Sequence, residues 1–392
     1  MDRNRRVVSA LIMSLALCMV SPFAGAEQQT ALSNERLAEL QRLENDPQIK
    51  RAGEAWNKAN AEATRQHLRA LAASGEARDL LAASMLWAGV GAMQDETATL
   101  PAKPAQETRA WFDAARRARP RDVLVAWMEA SECAGLSDSC NSRDALQYLL
   151  QAEPDNAAVQ LLALAAAEKQ ADKKAMDAHW QAAALASTYD PHTLETGQLL
   201  YSAMQGISQP PLDPRLADAM GLALALDRPA TPQDVADVGA IAMWAALALP
   251  AFTPITRQCK PEQLASASVT RQAECERILT LLAEDQSTVI APMIGLPWLV
   301  RLNGDTTEGM AWRERLRELY WVYENALQRM PVFGQGSALP NEYSAWMMME
   351  GELPAMRRLL ERSDLPATPP AGWLPRDARY RALVSTGREP ES

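Results

Sequence analysis

The sequence is poor in the residues that build metal and redox sites. Its 392 residues include three histidines and five cysteines, and neither a CxxC nor an HxxxH spacing occurs. Metal-binding motifs need such ligands close together in the chain. We therefore expect neither a metal ion nor another cofactor.

Common catalytic motifs are also missing. There is no GxSxG nucleophile turn, no HExxH zinc motif and no phosphate-binding glycine loop, which are typical of many hydrolases, metalloproteases and nucleotide-dependent enzymes. We expect a non-enzymatic protein. The alternative is a cell-envelope hydrolase that cleaves a wall polymer with two carboxylates, Glu324 and Glu342, in the manner of glycosidases.

Strand-like alternation of β-branched residues is nearly absent, while Ala, Leu, Glu, Arg and Gln are abundant. Because these residues favour helices and most predicted connections are short, the sequence predicts an all-α fold of stacked antiparallel helical hairpins.

The first 26 residues have the three parts of a secretory signal peptide. Three arginines within residues 3–6 precede an apolar stretch at 7–23, and Ala24-Gly25-Ala26 suits signal peptidase. The apolar stretch is too short and wrongly flanked for a membrane anchor. We expect Sec-type export, cleavage near Ala26, a periplasmic or secreted location and no membrane span in the mature chain.

Cleavage there would remove three arginines and one aspartate, leaving 36 basic and 48 acidic residues and a formal charge of −12. A surface this acidic repels nucleic acid. The expected partner is another envelope or secreted protein, or a peptide.

Four cysteines would remain in an oxidising compartment, where an even number favours disulfides. Three pairings are possible. Proximity in sequence favours Cys133 with Cys140 and Cys259 with Cys275.

A proline-containing turn recurs along the chain. Residues 118–123 (ARPRDV) are similar to residues 152–157 (AEPDNA), and a third turn spans 188–192 (TYDPH). Their prolines are 34 and 37 residues apart. Proline suits the first turn of a helix, so each turn would start a new hairpin.

Residues 142–187 resemble the tetratricopeptide repeat: a helix ending in LLQA at 149–152, the turn EPDN at 153–156, then two alanine-rich helices. The resemblance is best over residues 105–205. It implies a superhelix of stacked hairpins, an architecture that binds proteins and peptides. The alternative interpretation is another helical fold with proline-initiated turns.

These features divide the chain into four parts. A signal peptide (1–26) precedes the tetratricopeptide-like region (27–250) and a C-terminal helical region (251–362). The proline-rich stretch at 250–261 suggests the boundary between them. A proline-rich tail (363–392) should be extended or weakly ordered.

The predicted helix at 312–329 carries the candidate binding residues. Trp312 belongs to an ordinary core stripe at helical spacing, whereas Trp321 lies on the opposite side, near Arg317 and Glu324. Trp321 either packs against another layer or is displayed, and displayed tryptophans are favoured in recognition. Trp321, Arg317 and Glu324 are therefore the candidate binding residues.

Together these features predict an exported helical repeat protein that mediates protein–protein interaction. Besides the hydrolase, an inhibitor or immunity-like module that caps a secreted enzyme is a further alternative.

Overall fold

A computed structural model describes residues 34–92, 105–131, 141–224, 226–246, 252–264, 267–330 and 342–390. These residues are almost entirely helices and connecting turns, without a strand, so the all-α prediction is confirmed. The predicted signal peptide and the predicted Cys133–Cys140 pair lie outside the described residues.

The helices of the described ranges follow one another through mostly short connections. In chain order they are α1 (Asn34–Glu44), α2 (Pro47–Ala72), α3 (Ala77–Ala92), α4 (Gln106–Arg117), α5 (Val123–Ser131), α6 (Ser142–Ala152), α7 (Ala157–Lys169), α8 (Lys173–Leu185), α9 (Thr193–Gln205), α10 (Pro214–Ala223), α11 (Pro232–Ala246), α12 (Thr253–Gln258), α13 (Pro261–Leu264), α14 (Val269–Glu284), α15 (Ile290–Asn303), α16 (Thr307–Arg329), α17 (Tyr343–Glu350), α18 (Glu352–Arg362) and α19 (Ala378–Thr386).

The chain forms two compact units, each built from separate stretches of sequence. The first unit takes the described residues of Met1–Asn141, Glu195–Leu247 and Leu327–Met349. The second unit takes those of Ser142–Leu194, Ala248–Ala326 and Glu350–Ser392.

One tryptophan of the first unit lies between two helices. Trp56 on α2 packs with Ile49, Leu216 and Ala219, which joins α2 to α10. Its indole N–H donates to the carbonyl oxygen of Pro210 over 3.0 Å, so the buried polar end of the ring is satisfied.

The second unit is built around two helical hairpins, α7–α8 and α14–α15, with α8 against α14. Trp180 on α8 is 1% exposed and donates to Glu274 Oε2 on α14 over 3.0 Å. Helix α15 can approach α14 closely because residue 295 is glycine. A Cβ atom there would lie 2.6 Å from the carbonyl oxygen of Leu279.

Two of the three recurring proline turns lie in the second unit, and they contact each other. Asn156, in the turn at residues 152–157, donates through Nδ2 to the carbonyl oxygen of Asp190 over 2.8 Å. Its Oδ1 accepts from Asp190 N over 3.0 Å. Buried His192 places Nε2 3.0 Å from Glu153 Oε2. Residues about one sequence period apart are thus hydrogen-bonded neighbours.

The structure differs from the expectation of an extended tail, because it places α19 within residues 363–392. Asp377 caps this helix by accepting from Arg379 N over 2.8 Å. Gly387 ends it in the left-handed conformation, with φ 71°. Both are ordinary helix-end signals, and Pro366, Pro369, Pro370 and Pro375 all precede the helix.

Candidate functional site

Helix α16 carries the three candidate binding residues. Its first turn is capped by Thr306, whose Oγ1 accepts from Gly309 N over 3.0 Å. Trp312 and Trp321 are both buried, at 8% and 7% exposure. Of the two arrangements expected for Trp321, packed or displayed, the structure therefore has the packed one.

Trp321 is covered by residues 366–376 of the same chain, hereafter the proline segment. Its indole N–H donates to the carbonyl oxygen of Pro366 over 2.8 Å. Its ring meets Trp373 edge to face, with the ring centroids 5.2 Å apart. Such a pair adds attraction beyond the apolar area that it buries.

Arg317 contacts the same segment one helical turn away. Its Nη1 donates to the carbonyl oxygen of Pro370 over 3.0 Å. Glu314 accepts from the other side of the guanidinium group, at 2.8 and 2.6 Å. This two-point contact holds the planar group in one orientation, so Arg317 presents a fixed donor to the segment.

Glu324 contacts the far end of the segment. Its Oε1 accepts from the main-chain N–H of Arg376 over 2.9 Å. Burial raises the pKa of Glu324 above its usual 4.5, and the hydrogen bond from Arg376 partly offsets that rise. The structure thus brings all three candidate residues together on one short stretch of main chain.

The proline segment reverses direction at Arg317. Trp373 N donates to the carbonyl oxygen of Pro370 over 3.1 Å, and Gly372 has φ 76°, as in a turn that needs glycine at its third position. The turn carries the chain from Trp321 to Arg317 and returns Trp373 to Trp321.

Helix α19 docks beside the segment. The Tyr380 ring stacks on Tyr320 with the ring centroids 4.2 Å apart. Glu389, just after α19, accepts from Arg301 on α15 over 3.0 Å. The proline segment is therefore a loop between two helices, α18 and α19, that each pack in the second unit.

Sequence reasoning missed the covering residues Pro366, Trp373 and Arg376. A tryptophan among five prolines was a usable signal, since an aromatic residue in an exposed, disordered tail has nothing to pack against. Asp377 and Gly387, at helix-cap spacing, were a second signal.

The remaining predicted site residues lie elsewhere. Cys259 and Cys275 form a disulfide in the second unit, and both are fully buried. Glu342, the other carboxylate of the hydrolase alternative, is exposed at the start of α17 and belongs to the first unit, whereas Glu324 belongs to the second.

Further features of the described ranges concern metal ligands, membrane spans and cavities. Within them, no three His, Cys, Asp or Glu side chains are grouped as metal ligands. None of the helices described is both long and apolar enough to cross a membrane. A wide, open depression of about 670 Å³ lies between α1 and α2. It is lined by Arg42, Asn45, Asp46, Pro47, Gln48 and Arg51.

The chain matches no family model, no curated protein and no solved structure.

The raised pKa of Glu324 gives a pH-dependent prediction. Because the folded-state pKa lies above the unfolded value, the contribution of Glu324 to the stability of the parent protein falls as pH rises from 4.5 through the folded-state pKa. Glu324→Gln keeps an oxygen for Arg376 N but does not titrate. Urea unfolding at a series of pH values should show the stability of the variant rising relative to the parent across that window.

Glu324→Ala provides the contrast, because it removes the acceptor. It should destabilise the protein by about 1–2 kcal/mol at every pH above the window. A pH-independent difference between Glu324→Gln and the parent would contradict the assignment of a raised pKa.

Proposed function

We propose that this protein is an exported, non-enzymatic helical repeat protein of the cell envelope that binds another protein or a peptide. The observation that carries the proposal is the way α16 holds the proline segment. Arg317, Trp321 and Glu324 all contact main-chain atoms of one short segment. Peptide-binding surfaces use the same kind of contact, since main-chain groups are present in every partner.

The paired proline turns support the repeat part of the proposal. Asn156 and Asp190 exchange two hydrogen bonds. Their sequence separation of 34 residues is typical of helical-hairpin repeats. The signal-like residues 1–26 and the acidic composition support an envelope location and a protein partner. An exported chain should have a mature N-terminus near Glu27, which intact-mass measurement of the envelope fraction would check.

Crosslinking in intact cells, followed by purification and mass spectrometry, tests the binding function. We expect one stoichiometric partner that is lost with Arg317→Ala and with Trp321→Ala. Arg317→Ala leaves the buried tryptophan in place, so it separates binding from folding. Arg277→Ala, which removes an exposed arginine from α14, is the matched control and should keep the partner. A mature protein without any partner would contradict the proposal.

A further inference from the structure

We infer that the face of α16 formed by Arg317, Trp321 and Glu324, hereafter the α16 face, is a recognition site for proline-containing segments that form a Gly-aromatic turn, and that the proline segment is its intramolecular occupant. This inference rests on the proposed function and deepens it, because it names the chemistry of the partner.

The hydrogen bonds across this face do not depend on most side chains of the occupant. Trp321 and Arg317 donate to main-chain carbonyl oxygens, at Pro366 and Pro370. Glu324 accepts from a main-chain N–H. Another chain with the same backbone path could therefore replace the proline segment without loss of these bonds.

Specificity comes from the turn. Pro370 supplies a carbonyl oxygen that accepts from both Arg317 and Trp373 N. Gly372 is in the left-handed region, with φ 76°, and a Cβ atom added to it would have no neighbour within 4 Å, so backbone conformation rather than space requires glycine. The turn returns the Trp373 ring to Trp321. A partner therefore needs glycine and an aromatic residue at this spacing, and the burial of Pro369 directly before the turn favours a proline at that position.

The proline segment buries little of its own surface, so another chain can displace it. Of residues 366–376, only Pro369 and Pro375 are buried, and Trp373 is partly exposed. The flanking helices have contacts of their own: Glu352 at the start of α18 accepts from Val289 N over 2.6 Å, and Tyr380 of α19 stacks on Tyr320. The segment can thus detach as a loop while both flanking helices stay packed. Such local opening requires less free energy than unfolding of the whole unit.

Covalent attachment gives the proline segment a large advantage over a free peptide, since a tethered ligand acts at a millimolar effective concentration. A change that weakens the turn only in the tethered segment should therefore favour binding of the free peptide. Gly372→Ala does this, because alanine is disfavoured in the left-handed region, and it leaves every residue of α16 intact.

The test uses the full chain and a fluorescein-labelled peptide with the sequence of residues 364–378, DLPATPPAGWLPRDA. Fluorescence anisotropy should show about tenfold tighter peptide binding by Gly372→Ala than by the parent protein. Trp373→Ala in the protein should act in the same direction. A peptide with alanine in place of its tryptophan should bind neither protein.

Two further variants locate the site. Adding Arg317→Ala to Gly372→Ala should abolish peptide binding, whereas adding Arg277→Ala should leave it unchanged. Circular dichroism should show equal helix content in all of these proteins. Equal binding by the parent and Gly372→Ala, or binding that survives Arg317→Ala, would overturn the inference.

These outcomes are separate from those of the cell-based experiment. A partner captured in cells without peptide binding would leave the proposed function in place and reject this ligand chemistry. Peptide binding without any partner in cells would support the recognition site and reject the proposed function.

Discussion

Replacement of Trp180 by alanine is expected to lower the free energy of unfolding by about 4 kcal/mol. The side chain is 1% exposed, so its loss leaves a cavity that the surrounding helices fill only in part. Glu274, which is itself largely buried, also loses the indole donor that lies 3.0 Å from its Oε2. Urea unfolding followed by far-UV circular dichroism measures the change.

Trp180→Phe is the matched control for this experiment. It keeps an aromatic ring in the same site but removes the N–H group, so we expect a loss of about 1–2 kcal/mol. Arg271 stays close to Glu274, with 3.4 Å between Nη1 and Oε2, which limits the cost of the missing donor. A loss below about 1 kcal/mol for Trp180→Ala would contradict the packing of α8 against α14.

Removal of the Cys259–Cys275 disulfide is expected to cost about 3 kcal/mol in the chain-entropy description. The bond closes a loop with a sequence separation of 16 residues and joins the end of α12 to α14. Because both cysteines are 0% exposed, alanine is the suitable replacement for each. Comparison of the double variant with the parent, in urea without reductant, measures the effect.

The predicted Cys133–Cys140 pair offers the control. If that bond forms, its removal should cost about 2.5 kcal/mol, because its loop is shorter. Mass spectrometry of non-reduced digests should identify two separate linked peptide pairs. A link between Cys133 and Cys275 would contradict both local pairs.

Part of the candidate site could be predicted because its determinants are local. Helical spacing placed Trp312 on a buried stripe, and this side chain is buried in α16. The same spacing placed Trp321 on the opposite side together with Arg317 and Glu324. No spacing rule could identify what covers Trp321, since its hydrogen-bond acceptor lies 45 residues further along the chain.

The recurring proline turns illustrate the same limit. Their period was visible in the sequence, but the contact between Asn156 and Asp190 depends on how two hairpins stack. The tetratricopeptide-like superhelix itself stays a prediction. The all-α class was easier to predict from the sequence, because helix propensity is summed over many residues of one segment.

The sequence by itself determined the helical class, the buried stripe of α16 and the local preference of Cys259 for Cys275. Each of these follows from residues that are close in the chain, through propensity, periodicity or a short loop. Only the tertiary structure decided that the proline segment covers Arg317, Trp321 and Glu324, and that α19 anchors its far end. Those contacts join residues that are distant in sequence, and their partners are chosen by packing and main-chain hydrogen bonding rather than by any local pattern.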